Sequence, residues 1–149
     1  MSQDLVIGIG SPHGDDQVGW SVIAYLKQQG QEIAVLQTLV DPIDLIEQLD
    51  GVSRLLIVDG CRSGQEVGTL TRFDADDPRF LEATGHSTHR ISLSETLDLA
   101  RALRRLPGWV KVFGVEVDQC RPQAAMDPRL EKAVPRIAQE ICDELSQRP

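Results

Sequence analysis

A buried strand that runs through a glycine turn into a helix opening on two acids restricts this chain to few folds. Residues 5–9, Leu-Val-Ile-Gly-Ile, are short, apolar and rich in β-branched side chains, the pattern of a strand covered on both faces. Residues 10–14 hold two glycines and a proline, which is loop chemistry. Val18, Val22, Ile23 and Leu26 then recur at helical spacing until Gly30. Asp15 and Asp16 stand between strand and helix. A strand hidden on both sides needs helices above and below it, so the class is α/β.

The remaining pattern agrees. Residues 33–39 predict a second strand, and Asp41-Pro42 starts a helix carrying Ile43, Ile46 and Leu49 and closed by Gly51. Residues 54–59, Arg-Leu-Leu-Ile-Val-Asp, are the clearest buried strand and end abruptly on an acid. Strand and helix alternate over this half, which implies parallel strands with right-handed crossovers. Residues 69–73 predict a short antiparallel edge strand, and residues 74–80, with Pro78, a surface loop. Ser92 and Glu95 form a capping box for a helix with Leu93, Leu97, Ala100 and Leu103 on one face. Residues 109–117 predict another strand, with Gly114 marking a close approach by backbone or ligand. Asp127-Pro128 opens a terminal helix with Leu130, Ala133, Val134, Ile137, Ile141 and Leu145 inward, which Pro135 is expected to kink or break.

Composition narrows the function. A chain of 149 residues without repeats or linkers is expected to be one domain, 1–149. Its net charge of −8 and scattered basic residues argue against nucleic acid as partner. No segment has the length and apolarity of a membrane span. Three distant cysteines, Cys61, Cys120 and Cys142, fit a reducing compartment, and the N-terminus lacks the basic start and apolar stretch of a secretion signal. These features predict a cytoplasmic protein, read as a monomer.

The chemistry should lie beyond the carboxyl ends of the strands, where open parallel sheets bind ligands. Asp15 and Asp16 follow the first strand and Asp59 ends the third, so both sets of acids belong to one edge. His86 and His89, in a loop before a helix, can fold onto that edge. Two carboxylates and an imidazole suit a cation with open positions, or an acid–base pair. Blander roles compete: Asp16 or Asp15 as a helix cap, Asp59 as an acceptor for loop N–H groups, His89 as a solvated loop residue. Cys61 reads as a buried thiol, Glu116 as a structural hydrogen-bonding group and His13 as an exposed loop residue. Gly8, Gly10 and Gly14 imitate a dinucleotide fingerprint with one residue too many. Asp15 and Asp16 would repel a pyrophosphate there, and that reading is rejected.

These residues resemble the hydrogenase maturation proteases, which trim the C-terminal extension of nickel–iron hydrogenase large subunits. The first block is Gly8-Ile9-Gly10-Ser11-Pro12-His13-Gly14-Asp15-Asp16-Gln17-Val18-Gly19. The second runs from Asp44-Leu45-Ile46-Glu47-Gln48-Leu49 to Leu55-Leu56-Ile57-Val58-Asp59-Gly60. Ser87-Thr88-His89 before Leu93 is the third, and Gly114-Val115-Glu116 the fourth. The turn is one residue shorter than the family pattern, with Ser11 for the usual Asn and Gln17 for the usual Gly. The resemblance implies a three-layer sandwich: a five-stranded, mostly parallel twisted sheet with helices on both faces and one short antiparallel edge strand. It also implies that Asp16, Asp59 and His89 contact nickel already carried by the precursor, Asp16 and Asp59 serving catalysis as well. No organic cofactor and no resident metal are expected. The expected activity is endoproteolysis of the hydrogenase large-subunit precursor, by carboxylate-activated water or with metal assistance. The alternative is a non-catalytic nickel-checkpoint or chaperone-like binding protein on the same scaffold, and a small-molecule hydrolase is a third possibility.

Overall fold

Five strands join one sheet in the order β2-β1-β3-β5-β4, in a computed structural model that describes residues 3–30, 33–77, 91–118 and 125–147. The strands are β1 (Gln3–Ile9), β2 (Val35–Leu39), β3 (Val52–Cys61), β4 (Leu70–Asp74) and β5 (Trp109–Glu116). All neighbours are parallel except β4, which runs antiparallel to β5 at the edge. Among the described residues three α-helices accompany them, α1 (Val18–Gln28), α2 (Leu93–Ala102) and α3 (Pro128–Ser146), with 3-10 helices at Gly14–Gln17 and Pro42–Gln48.

Alternation along the strands builds two cores. Leu5, Ile7 and Ile9 of β1 and Leu55 and Ile57 of β3 pack with Leu45 of the second 3-10 helix and Leu93 and Leu97 of α2. The intervening residues Val6, Leu56 and Val58 pack with Val22 and Ile23 of α1 and Leu130 and Ile137 of α3. Successive strand side chains point to opposite faces, so each apolar run serves both layers. The result is the expected three-layer sandwich.

The order of the strands also positions a crevice. The chain leaves β1 through α1 to reach β2 on one side. It then returns past β1 through residues 42–48, on the other face, to reach β3. Neighbouring strands β1 and β3 therefore send their following segments in opposite directions, which opens a gap at their carboxyl ends. Gly8 is opposite Val58 in the register, so Asp59 stands where β1 leaves the sheet.

Several local expectations are revised. The helix expected after Asp41-Pro42 forms over residues 42–48 with 3-10 winding; its apolar residues Ile43, Ile46 and Leu49 recur every three residues, which suits the tighter turn. Leu103 is 54% exposed rather than part of the α2 stripe. The helix stops at Ala102, Arg104 takes φ 58°, and Arg105 donates its N–H to the Ala100 carbonyl, a left-handed helix end that swings Leu103 outward. Helix α3 continues through Pro135 without a break. Pro135 is exposed, so the carbonyl that loses its partner four residues earlier faces solvent. At Gly114 the close approach comes from the protein itself: a Cβ there would lie 2.9 Å from Phe73 and 3.1 Å from the Cys61 sulfur. The segment 84–89, with His86, Ser87, Thr88 and His89, lies outside the described residues, as do Pro78 and Cys120.

Candidate active site

Asp16 reaches the crevice because α1 sits unusually low on the sheet. A Cβ at Gly19 would lie 2.4 Å from the Ile9 carbonyl oxygen and 2.9 Å from that of Val58, and one at Gly8 would lie 2.3 Å from the Gly19 oxygen. Only glycine permits backbone to meet backbone at these points. The turn before α1 is folded back on itself: Ser11 donates its N–H to the Asp16 carbonyl at 3.2 Å and Asp16 donates to His13 at 3.0 Å. Gly10 N–H and the Trp20 indole N–H both bond the Leu39 carbonyl, at 3.0 and 3.1 Å. These contacts pin the turn to the carboxyl ends of β1 and β2.

Asp59 arrives at the same place from β3. Burial is the main influence pushing its carboxyl well above the usual aspartate range, and the negative charge of Asp16 pushes it further; a hydrogen bond with the Gly60 backbone opposes both. The Asp16 charge thus bears on Asp59, and a like charge beside a desolvated carboxyl favours its protonated form. Among the described residues no cluster of three His, Cys, Asp or Glu side chains forms a metal site, and His89, the third residue of the expected set, lies outside them.

The other acids of this rim serve the framework. Asp15 is only 3% exposed. It accepts the Asp118 N–H and the Asp127 N–H, both at 2.9 Å, instead of capping its own helix; the cap position belongs to His13, without a side-chain bond. Glu116, at the end of β5, accepts the Ser63 N–H at 2.9 Å, the Ser63 hydroxyl at 2.6 Å and the Gly64 N–H at 3.3 Å. It therefore holds the loop that follows Asp59. Cys61 is buried beside it, and burial together with the charges of Glu116 and Asp59 pushes its thiol up to about 12. A thiol so reluctant to ionise is a poor nucleophile.

A separate cleft of about 320 Å³ opens at the other end of the sheet, between Asp74, Arg101, Leu106, Trp109 and Lys111. Its Lys111 ammonium is engaged by Asp74. It lies at the start of β5, remote from Asp16 and Asp59.

A family model described as HycI, hydrogenase maturation protease, matches residues 21–144. The chain belongs to the hydrogenase maturation protease family. It is accordingly an endopeptidase of hydrogenase large-subunit processing, and the non-catalytic binder is not favoured. The match takes in Asp59 and begins after Asp16, so the placement of Asp16 rests on the geometry of the turn.

The fold is shared with solved hydrogenase maturation proteases. The hydrogenase maturating endopeptidase HybD from E. coli superposes with a TM-score of 0.80 at 19% identity, over 97% of this chain and 92% of that one. The [NiFe] hydrogenase maturation protease HycI from Thermococcus kodakarensis KOD1 gives 0.76 at 18% identity, over 97% and 93%. The solution structure of the endopeptidase HycI from Escherichia coli gives 0.77 at 23%, over 95% and 90%. At these identities the likeness is one of fold. No curated protein matches the sequence significantly. No helix among the described residues is long and apolar enough to cross a membrane.

Proposed function

We propose that this protease removes the C-terminal extension of a nickel–iron hydrogenase large-subunit precursor after nickel insertion, and that Asp16, Asp59 and His89 are the residues that meet the nickel the precursor carries. The observation that carries the reading is the placement of Asp16 in the turn after β1 and of Asp59 near the end of β3, where the Asp16 charge bears on Asp59, in a chain of this family. Two mutually repelling carboxyls form a place for a cation that arrives with the substrate, which would relieve their repulsion. Nickel is here part of the substrate, and no resident metal or organic cofactor is invoked.

Two routes to peptide-bond cleavage start from this arrangement. In the first, one carboxylate takes a proton from water while the protonated partner donates to the departing amine. In the second, the substrate's nickel polarises the scissile carbonyl and both carboxylates position it. The setting is a monomer in the cytoplasm, with neither nucleic acid nor membrane as partner.

The test is mass spectrometry of the precursor after incubation with the protein, nickel-loaded and metal-free in parallel. Loss of a C-terminal peptide from the loaded precursor alone is the expected outcome. Complex formation with no loss of mass in either sample would return the reading to a binding protein. Cleavage of both samples alike would remove nickel from the recognition step.

A further inference from the structure

The buried carboxylate of Asp15, one residue from Asp16, is bonded to backbone at the rim of the sheet. Among the described residues, each of its oxygens accepts from a backbone donor. Oδ2 accepts the N–H of Asp118, just beyond β5, and Oδ1 accepts the N–H of Asp127, just before α3. Both bonds are 2.9 Å, and Asp15 is 3% exposed. One carboxylate thus joins three segments of the carboxyl rim: the turn after β1, the end of β5 and the start of α3. Charged acceptors of backbone N–H groups form bonds about twice as strong as neutral ones.

We infer that Asp15 is a positioning residue, which fixes Asp16 against Asp59 by anchoring the 3-10 turn to the Asp118 and Asp127 backbone. This rests on the reading of Asp16 and Asp59 as the reacting pair. Among the described residues, the Gly10 and Trp20 bonds to the Leu39 carbonyl tie the turn and the start of α1 to the β2 side, and the Ser11 bond to the Asp16 carbonyl closes the turn on itself. Those hold its outer flank, whereas Asp15 holds the side toward β5. Without Asp15 the turn loses its ties to the Asp118 and Asp127 backbone, and Asp16 can move relative to Asp59. A misplacement of about 1 Å in such a pair lowers turnover on the order of 100-fold while substrate binding persists.

Asn at this position keeps the shape of Asp15 but offers one acceptor and one NH₂ donor, which would face a backbone donor. Asp15→Asn is therefore expected to lower kcat for cleavage of the nickel-loaded precursor about 10- to 100-fold, with KM within about twofold. In an Asp16→Asn background the same change should cause no further loss, because the residue acts through Asp16. Proline at Asp127 supplies a second route that leaves Asp15 in place. The Asp127 φ of −55° suits proline, which deletes one of the two N–H donors. Asp127→Ala removes the same side-chain cap of α3 and keeps the donor. The expected result is reduced kcat in Asp127→Pro and unchanged kcat in Asp127→Ala, with both folded by denaturation midpoint.

Unchanged kcat in both Asp15→Asn and Asp127→Pro, with Asp16→Asn inactive, overturns this inference alone. So does a loss in Asp15→Asn that multiplies with that of Asp16→Asn. An active Asp16→Asn variant instead overturns the reading of the reacting pair, and this inference with it. Should Asp15→Asn fail to fold, the two Asp127 variants decide the matter by the same criterion.

Discussion

The raised proton affinity of Asp59 predicts that its ionisation opposes folding, and that opposition would be a measurable signature of the site. Burial first and the charge of Asp16 second raise its proton affinity in the folded chain above the ordinary aspartate value of 3.8. Between the unfolded and folded titrations the native state holds a proton that the unfolded state has released. Stability then falls as pH rises through that interval, and the penalty is complete above the folded titration. Below the unfolded value both states are protonated and no penalty remains. Asp59→Asn should therefore raise the urea midpoint at pH 7, with the gain disappearing near pH 3, while precursor cleavage falls at least about 100-fold. A midpoint that drops equally at both pH values would show Asp59 to be an ordinary supporting residue. Asp59 was legible in the sequence because four aliphatic residues precede it and nothing apolar would put an acid there otherwise. Asp15 was not: its partners Asp118 and Asp127 are 103 and 112 residues away, and a cap is the local role for an acid at that position. The tie of Glu116 to Ser63 and Gly64 was legible only as a buried hydrogen-bonding role.

Helix α1 and strand β1 are a single unit, made so by the absence of two side chains. Periodicity identified both elements, since it reads which faces are apolar. It does not read interaxial distance, and the depth at which α1 lies on the sheet depends on Gly8 and Gly19. For the same reason the pattern at 42–49 announced a helix without choosing its winding. Alanine at Gly19 would gain about 1 kcal/mol of helix propensity in an open helix. Here its Cβ would meet carbonyl oxygens of both β1 and β3 at 2.4 and 2.9 Å, and backbone cannot step aside as a side-chain tip can. Overpacking of this kind costs about 1–3 kcal/mol or more, so the clash prevails. Gly19→Ala should lose about 2 kcal/mol net by chemical denaturation. It should also reduce cleavage by the remaining folded enzyme, because lifting α1 carries Asp16 off the rim. Gly108→Ala, where a new Cβ would meet nothing within 4 Å, should change stability by less than about 0.5 kcal/mol. Equal effects at the two positions would refute the close-contact account of Gly19.

The molecule divides its work between the two ends of the sheet. The carboxyl rim carries repelling acids and loops held by Asp15 and Glu116, whereas the amino rim carries an attractive clamp centred on Arg54. Its guanidinium forms a two-pronged pair with Asp4 of β1, and donates to the Leu145 carbonyl at 2.9 Å and the Gln147 carbonyl at 3.0 Å. It also lies 5.5 Å from the centre of the Trp109 ring in β5. One side chain thus joins β1, β3, β5 and the end of α3, and its positive charge faces the carbonyl-rich end of that helix. The fork geometry of arginine is essential to this; lysine reaches as a point charge and fills one of these sites. The Arg54 side chain is 15% exposed and Asp4 22%, so removing it leaves the half-buried Asp4 carboxylate and Leu145 carbonyl without their donor. Arg54→Ala is expected to lose about 3 kcal/mol of stability, and Arg54→Lys should recover less than half of it. The exposed pair of Arg72 and Glu140 provides the contrast, with Arg72→Ala expected to lose less than about 1 kcal/mol. Because the clamp and the proposed reacting pair occupy opposite rims, kcat per folded molecule should be unchanged in Arg54→Ala at a temperature where the variant remains native. A fall in kcat matching that of Asp15→Asn, without loss of folded population, would mean that the sheet transmits strain from one rim to the other and that the two ends are not independent.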